Sequence, residues 1–189
     1  MVPQPLAYVR DLLRGLEAPW FLCGGWAIDA WLGEQTRHHS DVDIAVFHHD
    51  QRAILDLLPG WALVAHDPHV PDDTTQQWDG RDLDLPAHIH VPTLASPLAT
   101  STTLKHSAFE FEFILVERTG RGQIHHRSPW GLPAIAPEVV MFHKAVDNHT
   151  PRPQDEDDFV ALLPTLDDAQ RGWLRDALAE GHPWLSRLG

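Results

Sequence analysis

Cysteine and basic residues are both scarce in this sequence, and each shortage restricts what the protein can be. Among 189 residues Cys23 is the one cysteine, so no internal disulfide can form and we expect a reducing compartment. Lys and Arg number 14 against 27 Asp and Glu, which gives a formal net charge of −13. Because nucleic-acid binding relies on cations that displace counterions, this balance argues against a nucleic-acid partner and favours a cationic small molecule.

Long apolar runs are also missing. No stretch approaches the roughly 18 consecutive apolar residues that a membrane span requires. The first residues, Met-Val-Pro-Gln-Pro, have neither the basic nor the apolar region of a signal peptide. We therefore expect a cytoplasmic protein that does not enter the membrane. An apolar content of 43% is nevertheless ordinary for a globular protein with a core.

The spacing of apolar residues predicts a mixed α/β region followed by a helical one, which is an α+β organisation. We assign residues 1–132 to the α/β domain and residues 133–189 to a small helical subdomain. Predicted helices cover 3–16, 26–32, 51–58, 137–147, 154–163 and 167–179. Predicted strands cover 20–23, 42–47, 61–64, 88–91 and 109–117, with 123–127 as a hairpin partner of the last strand.

Two carboxylates stand at the head of the predicted strand 42–47. On a strand, Asp41 and Asp43 project from one face about 7 Å apart. Left bare they repel each other, whereas a divalent cation such as Mg²⁺, which prefers oxygen ligands, would turn the repulsion into binding. For an Asp-x-Asp pair alone, an exposed polar start of a strand is the simpler interpretation.

Two neighbouring features favour the metal site. Gly24-Gly25 ends one strand and opens a helix, so backbone N–H groups and the positive helix end would face a triphosphate. In the segment 109–113, Phe-Glu-Phe-Glu-Phe, the alternation places Glu110 and Glu112 on one face of another strand. A plain turn and an ordinary polar strand face are the alternatives for the separate features. Together they predict a phosphate cradle beside two or three carboxylates.

The sequence around this cradle resembles a known family. Residues 24–29, Gly-Gly-Trp-Ala-Ile-Asp, and residues 36–44, Thr-Arg-x-His-x-Asp-Val-Asp-Ile, are similar to the small antibiotic nucleotidyltransferases. The aminoglycoside 2''-adenylyltransferases are the named relatives, within the polymerase-β-like nucleotidyltransferase superfamily. The resemblance covers residues 20–47 and implies the nucleotidyltransferase fold, a mixed twisted sheet flanked by helices with a small C-terminal helical subdomain. Asp29 is expected to cap its helix or to orient Arg37.

The resemblance also implies a reaction. A nucleoside monophosphate, AMP from ATP or from another nucleoside triphosphate, would pass to a hydroxyl of a small acceptor such as a cationic aminoglycoside. Asp41, Asp43 and a third acid would hold Mg²⁺ and act in catalysis. Glu112 is our choice for the third acid, and Glu110 on the same face is the alternative. Gly24 and Gly25, which line the turn, would let the backbone approach the phosphates.

Three cationic side chains complete the site that the resemblance implies. Arg37 and His39 would either neutralise phosphate charge or fix the loop against the acids, and a purely structural contact is the alternative. Lys144 would contact the triphosphate. Asp155 and Asp158, three residues apart on a predicted helix, could orient Lys144 or the nearby arginine. The alternative for these acids is an acidic first turn favoured by the helix dipole.

Several alternatives remain open at this point. The acceptor could be a protein or tRNA, as in toxin-like relatives, or the chain could be a non-catalytic nucleotide-binding module on the same fold. Its helical subdomain is short, so a homodimer partner could supply part of the acceptor pocket. Histidine pairs such as His88-x-His90 could bind zinc, but their spacing is unspecific.

Overall fold

The computed structural model describes residues 1–66, 76–91, 110–116, 124–147 and 150–189. Over these ranges the chain forms an eight-stranded mixed sheet flanked by helices, which confirms the predicted α+β class. The helices are α1 Gln4–Leu12, α2 Gly24–Leu32, α3 Gln51–Leu57, α4 Pro137–Asp147, α5 Pro153–Leu162 and α6 Asp168–Ala177. The strands are β1 Trp20–Leu22, β2 Asp41–Phe47, β3 Val64–His66, β4 Gln76–Gln77, β5 His88–Val91, β6 Glu110–Val116, β7 His125–Arg127 and β8 Pro133–Ile135. Their spatial order is β4-β3-β5-β6-β2-β1-β8-β7.

Strand β2 lies in the interior of the sheet, between β1 and β6. It runs antiparallel to β1 and parallel to β6. Its run Ile44-Ala45-Val46 is fully buried, as expected for a strand covered on both faces. At its N-terminal end, by contrast, Asp41 is exposed and Asp43 is half-buried. The two acids therefore stand where an interior strand emerges from the core.

Helix α2 begins directly after β1 and carries the glycine pair at its start. Trp26, Ala27, Ile28 and Ala30 along it are nearly inaccessible to solvent, so this helix is packed on most of its surface. It ends at Gly33, whose φ of 82° and N–H bond to the Asp29 carbonyl form a left-handed cap.

The predicted strand over residues 61–64 is wrong. The Trp61 N–H donates to the Leu58 carbonyl at 3.1 Å and so extends the turn that follows α3. Gly60, with φ of 80°, makes that turn possible. Pairing with β5 begins only at Val64, which lies opposite His90. Because the turn occupies the residues before it, the strand comprises residues 64–66.

The predicted hairpin between residues 109–117 and 123–127 is also wrong. Strand β7 pairs with β8, which the apolar pattern did not reveal, and not with β6. The connecting turn is closed by the Ser128 N–H bond to the Leu132 carbonyl at 2.9 Å, with Gly131 at φ of 76°. The turn predicted at residues 119–120 lies outside the described residues.

The C-terminal helices pack on the same core as the sheet. Helix α4 contacts α2, α5 and α6. Phe159, Leu174 and Trp184 from this part belong to one apolar cluster with residues of α1, α2 and β2. The boundary between residues 132 and 133 stays a prediction; β8 lies just beyond it and belongs to the sheet. Within the described part of the chain, no helix has the length and apolar content to cross a membrane.

Candidate active site

The backbone at Asp41 and Asp43 is held by neighbouring residues. The Trp26 indole Nε1 donates to the Asp41 carbonyl at 2.9 Å. The Cys23 N–H donates to the Asp43 carbonyl at 3.0 Å. Because both bonds go to main-chain oxygens, they fix the start of β2 without using the carboxylates. The two acids are two residues apart on one strand and so lie on one face of the sheet.

Gly24 places the first turn of α2 directly against the Asp43 carboxylate. A Cβ at this position would lie 1.9 Å from Asp43 Oδ2, and the residue has φ of 58°. Both facts demand glycine, because an L side chain would clash and would also be strained. The positive end of α2 therefore lies beside a carboxylate, which the helix dipole stabilises.

Gly25, the second glycine, accommodates two side chains of the loop that precedes β2. Its Cβ would lie 2.5 Å from Arg37 Nη2 and 2.5 Å from His39 Cε1. Arg37 and His39 thus pack over the first turn of α2, one residue from the Asp43 contact. The structure brings five predicted site residues together here, since Gly24 and Asp43 adjoin this group.

Asp29 fixes the loop between α2 and β2. Its Oδ1 accepts hydrogen bonds from the Thr36 N–H at 3.1 Å and from the Thr36 hydroxyl at 2.6 Å. Its Oδ2 lies 2.6 Å from His39 Nε2, and both side chains are buried. The His39 ring also packs on Trp26, with 4.4 Å between ring centroids. We expected Asp29 to cap α2 or to orient Arg37, whereas these hydrogen bonds go to Thr36 and His39.

An ion-pair network joins this loop to the C-terminal helices. Arg37 binds Asp158 through two bonds, Nε to Oδ1 and Nη2 to Oδ2, both 3.1 Å. Lys144 Nζ lies 3.1 Å from Asp158 Oδ2 and 2.7 Å from Asp155 Oδ1. Arg152 Nε completes the network at 2.8 Å from Asp155 Oδ2. Two buried carboxylates thus hold three cationic side chains, one of which, Arg37, packs on the glycine turn.

The network also shifts the pKa of two of its members. Burial alone would lower the pKa of Arg37, but the hydrogen bond and charge of Asp158 more than offset it and raise that pKa above its ordinary value. Burial would raise the pKa of Asp155, but Arg152 and Lys144 hold it below its usual range. Both shifts favour the charged forms. The predicted contact of Lys144 with a triphosphate stays a prediction, because its described partners are Asp155 and Asp158.

The third predicted carboxylate is placed by strand register. In the parallel pair of β2 and β6, Asp43 is opposite Glu112 and Asp41 is opposite Glu110. Residues opposite each other on neighbouring strands lie on the same face of the sheet. The side chains of Glu110 and Glu112 lie outside the described part, so the choice between them stays a prediction.

The acids that the structure does describe fit a hard divalent cation. Asp41 and Asp43 offer carboxylate oxygens, the ligands that Mg²⁺ prefers, at a sheet end beside a helix N-terminus. The described residues, which leave out the side chains of Glu110 and Glu112, contain no group of three or more His, Cys, Asp or Glu side chains that could hold a metal. A complete site at this place would need a ligand from β6, a nucleotide or water.

Sequence reasoning missed two residues that shape this site. Trp26 was assigned only to a helix, yet its indole holds the Asp41 backbone. Asp158 was considered only as a partner of Lys144 or an arginine near it, yet it also binds Arg37, 121 residues away. One signal in the sequence does predict such pairings. An acid within an otherwise apolar stretch of helix, such as Asp29, is expected to be buried, and a buried carboxylate must find a partner.

Solved structures show that this architecture is the nucleotidyltransferase fold. One is the lincosamide antibiotic adenylyltransferase LnuA with lincomycin bound, at a TM-score of 0.52 and 15% identity, covering 86% of this chain and 96% of that one. Another is ANT(2'')-Ia in complex with adenylyl-2''-tobramycin, at a TM-score of 0.59 and 13% identity, covering 93% of this chain and 97% of that one. At such identities the likeness establishes the fold alone.

Sequence comparison indicates which nucleotidyltransferases this chain resembles. Residues 5–87, less than half of the chain, match the family model described as aminoglycoside-2''-adenylyltransferase. A lincosamide resistance protein from Staphylococcus haemolyticus is 38% identical over 53 residues, which are 28% of this chain and 33% of that protein. The match thus spans about a third of the curated relative's length. Together these matches confirm the resemblance to the small antibiotic nucleotidyltransferases.

Proposed function

We propose that this protein is a Mg²⁺-dependent nucleotidyltransferase that moves a nucleoside monophosphate, AMP from ATP, onto a hydroxyl of a small antibiotic-like molecule. The observation that carries the proposal is the contact between Gly24 and Asp43, which sets a helix N-terminus against one of two acids on a single strand face. This is the juxtaposition that a metal-bound triphosphate requires. The single cysteine and the use of ATP both suit the cytoplasm.

Each residue of the site has a proposed task. Asp41 and Asp43, with Glu112 as the proposed third acid, would hold Mg²⁺, which would neutralise charge on the α-phosphate and the leaving group. The N-terminus of α2 at Gly24 and Gly25 would bind the distal phosphates through backbone N–H groups. Arg37 and Lys144 would add positive charge, whereas His39 is bonded to Asp29 and would keep the loop in place.

The proposed reaction is an in-line displacement. The acceptor hydroxyl oxygen forms a bond to the α-phosphorus, and the bond from that phosphorus to the oxygen bridging to the β-phosphate breaks. Pyrophosphate leaves with the electron pair, and the hydroxyl proton passes to a carboxylate, for which we propose Glu112. The chain supplies orientation of the reacting atoms and electrostatic stabilisation.

We propose that the acceptor binds on the face of the sheet that carries the acids, towards β5 and β3 and away from α2. Beyond Glu112 the same face continues to His90, its antiparallel neighbour on β5, and the His90 ring lies 4.3 Å from that of His66 on β3. The relatives include an aminoglycoside adenylyltransferase family and a lincosamide resistance protein, so both classes of antibiotic are candidate acceptors. The net charge of −13 favours the more cationic acceptors by steering. A homodimer that completes the acceptor pocket is a further prediction.

The test is a transfer assay with ATP labelled in the adenosine moiety. We would incubate the protein and Mg²⁺ with panels of aminoglycosides, lincosamides, proteins and tRNA, and follow pyrophosphate release and the position of the label. We expect label on a small acceptor. Asp43→Asn should lower the rate about a thousandfold, since a metal ligand supplies several kcal/mol of stabilisation.

Asp56→Asn is the matched control, because Asp56 is an exposed acid on α3 that pairs only with Arg52 among the ion pairs described. It should transfer at the wild-type rate. Label found solely on protein or tRNA would replace the small acceptor by a macromolecular one. Equal pyrophosphate release by wild type and Asp43→Asn would refute the catalytic assignment.

A further inference from the structure

We propose that Asp158 is a positioning residue for the nucleotide, because it holds Arg37 and Lys144 together at the glycine turn where the triphosphate is proposed to bind. This inference rests on the proposed function and extends it to a residue on α5, far along the chain from the metal-binding acids. It assigns a task in the reaction to a carboxylate that would touch neither the substrate nor the metal.

The geometry gives Asp158 a central place among three chain segments. Its two oxygens engage Arg37 from the loop before β2, at 3.1 Å each, and Oδ2 also meets Lys144 from α4 at 3.1 Å. A two-bond contact between guanidinium and carboxylate fixes the plane of the arginine as well as its position. Asp158 therefore determines the direction in which Arg37 faces.

Exposure distinguishes the acid from the cation that it holds. The Asp158 side chain is 2% exposed, whereas Arg37 keeps 28% of its side chain exposed. Arg37 also packs over Gly25, where a Cβ would lie 2.5 Å from its Nη2. The acid is thus buried beneath a cation that stays partly exposed, and Nη2 of that cation both binds the acid and packs on the first turn of α2.

The position of Arg37 agrees with a role in binding an anion. Arg37 is the member of the network that packs on the glycine turn, and it stays partly exposed although it is paired with Asp158. A partly exposed guanidinium beside a helix N-terminus is suited to meet phosphate oxygens.

The experiment measures nucleotide affinity and stability separately. Wild type, Asp158→Asn and Asp157→Asn would be titrated with Mg²⁺ and a nonhydrolysable ATP analogue, and their thermal unfolding recorded. Asp157 is the neighbouring exposed acid and serves as the matched control. We expect Asp158→Asn to raise Kd about tenfold, the effect of one lost charged contact, and Asp157→Asn to leave it unchanged. In turnover the same variant should raise KM for ATP about tenfold and change kcat little.

A double-mutant cycle with Arg37→Ala tests whether Asp158 affects nucleotide binding through Arg37. If Asp158 acts through Arg37, its substitution should change Kd much less in the Arg37→Ala background than in the wild-type background. Asp158→Glu, which keeps the charge but moves it by one methylene, should bind nucleotide more tightly than Asp158→Asn. It also serves as the second variant if the asparagine form fails to fold.

Each result bears on the inference. A wild-type protein that binds the analogue, together with an Asp158→Asn form that binds equally well but melts earlier, would make the residue merely structural and overturn the inference while the proposed function stands. The inference would also be overturned if Asp158→Asn changed Kd by the same factor in the Arg37→Ala background as in the wild-type background. A wild-type protein that binds no nucleotide would instead refute the proposed function and the inference with it.

Discussion

At the residue scale, one missing carbon atom sets the geometry of the candidate site. Gly24 lets the first turn of α2 come so close to Asp43 that a Cβ would overlap the carboxylate oxygen at 1.9 Å. The same residue has φ of 58°, where other residues are strained. Steric and conformational demands coincide here, which marks the position as part of the site.

Gly24→Ala should therefore abolish most activity. The added methyl must displace the Asp43 carboxylate, and a shift of about 1 Å in a catalytic group can lower a rate about a hundredfold. The strained φ should also lower the free energy of unfolding by about 1–2 kcal/mol. Transfer rates and urea unfolding of the purified variant would check both effects.

Gly172→Ala is the matched control for this substitution. Gly172 lies inside α6, and the nearest atom to its Cβ position is Arg175 Nη2 at 3.7 Å. Alanine should stabilise that helix by about 0.5–1 kcal/mol without changing the rate. A Gly24→Ala variant with the wild-type rate would contradict the close packing of Asp43 on α2.

At the element scale, α2 and the start of β2 act as one unit. Trp26 reaches from the first turn of the helix to the Asp41 carbonyl at 2.9 Å and packs on His39. Asp29, one turn later, holds His39 and Thr36. The helix therefore fixes both the strand that carries the acids and the loop that leads to it.

Trp26→Phe should weaken this unit while keeping an aromatic ring in place. The loss of the indole N–H bond should lower stability by about 1 kcal/mol. Because the freed main chain carries Asp41, we also expect the transfer rate to fall about tenfold. Paired measurements of rate and unfolding would separate the two effects.

Trp78→Phe provides the comparison, because Trp78 Nε1 donates to the Arg81 carbonyl at 2.8 Å, on the other side of β6. It should lose similar stability and keep its rate. If both variants lost the same transfer rate, the cause would be their lower overall stability and not the lost hydrogen bond to the Asp41 carbonyl.

At the scale of the whole molecule, the sheet and the C-terminal helices are joined by apolar and ionic contacts. The apolar cluster includes residues from both, and the network around Asp155 and Asp158 reaches the loop before β2. Buried ion pairs are costly to break, because removal of one partner leaves the other charge unpaired. We expect a single cooperative unfolding transition as a result.

Asp155 should make this joined structure sensitive to acid. Its pKa in the folded protein is depressed below the ordinary value of 3.8 by Arg152 and Lys144. The stability it contributes is therefore fully present above that value and is lost as the pH falls through the folded pKa. Urea unfolding of the wild type between pH 7 and pH 2.5 should show this acid loss.

Asp155→Asn should be about 3 kcal/mol less stable at pH 7 and should lose less further stability below pH 4. The exposed Asp157→Asn variant should follow the wild-type curve. If wild type and Asp155→Asn fell in parallel through the acid range, other carboxylates would be responsible for the acid sensitivity.

Much of the fold and the position of the acid pair could be predicted from the sequence, because local patterns encode them. The i, i+2 spacing of Asp41 and Asp43 and the glycine pair at 24–25 are visible without a structure, as is the apolar spacing of the helices. These features depend on residues within a few positions of one another, where backbone geometry follows directly from residue type. The strand at 64–66 and the pairing of β7 were not predictable, because a turn and a distant partner determine them.

By itself, therefore, the sequence determined the α+β organisation, the acid pair on β2 and the glycine turn beside it. Only the folded chain showed that Asp29 binds His39, that Arg37 binds Asp158 across 121 residues, and that Glu112 is opposite Asp43. A charged side chain pairs with whichever opposite charge the fold brings within a few ångströms, and burial makes that pairing obligatory. Local spacing contains no information about such partners, because they meet only when separate segments pack together.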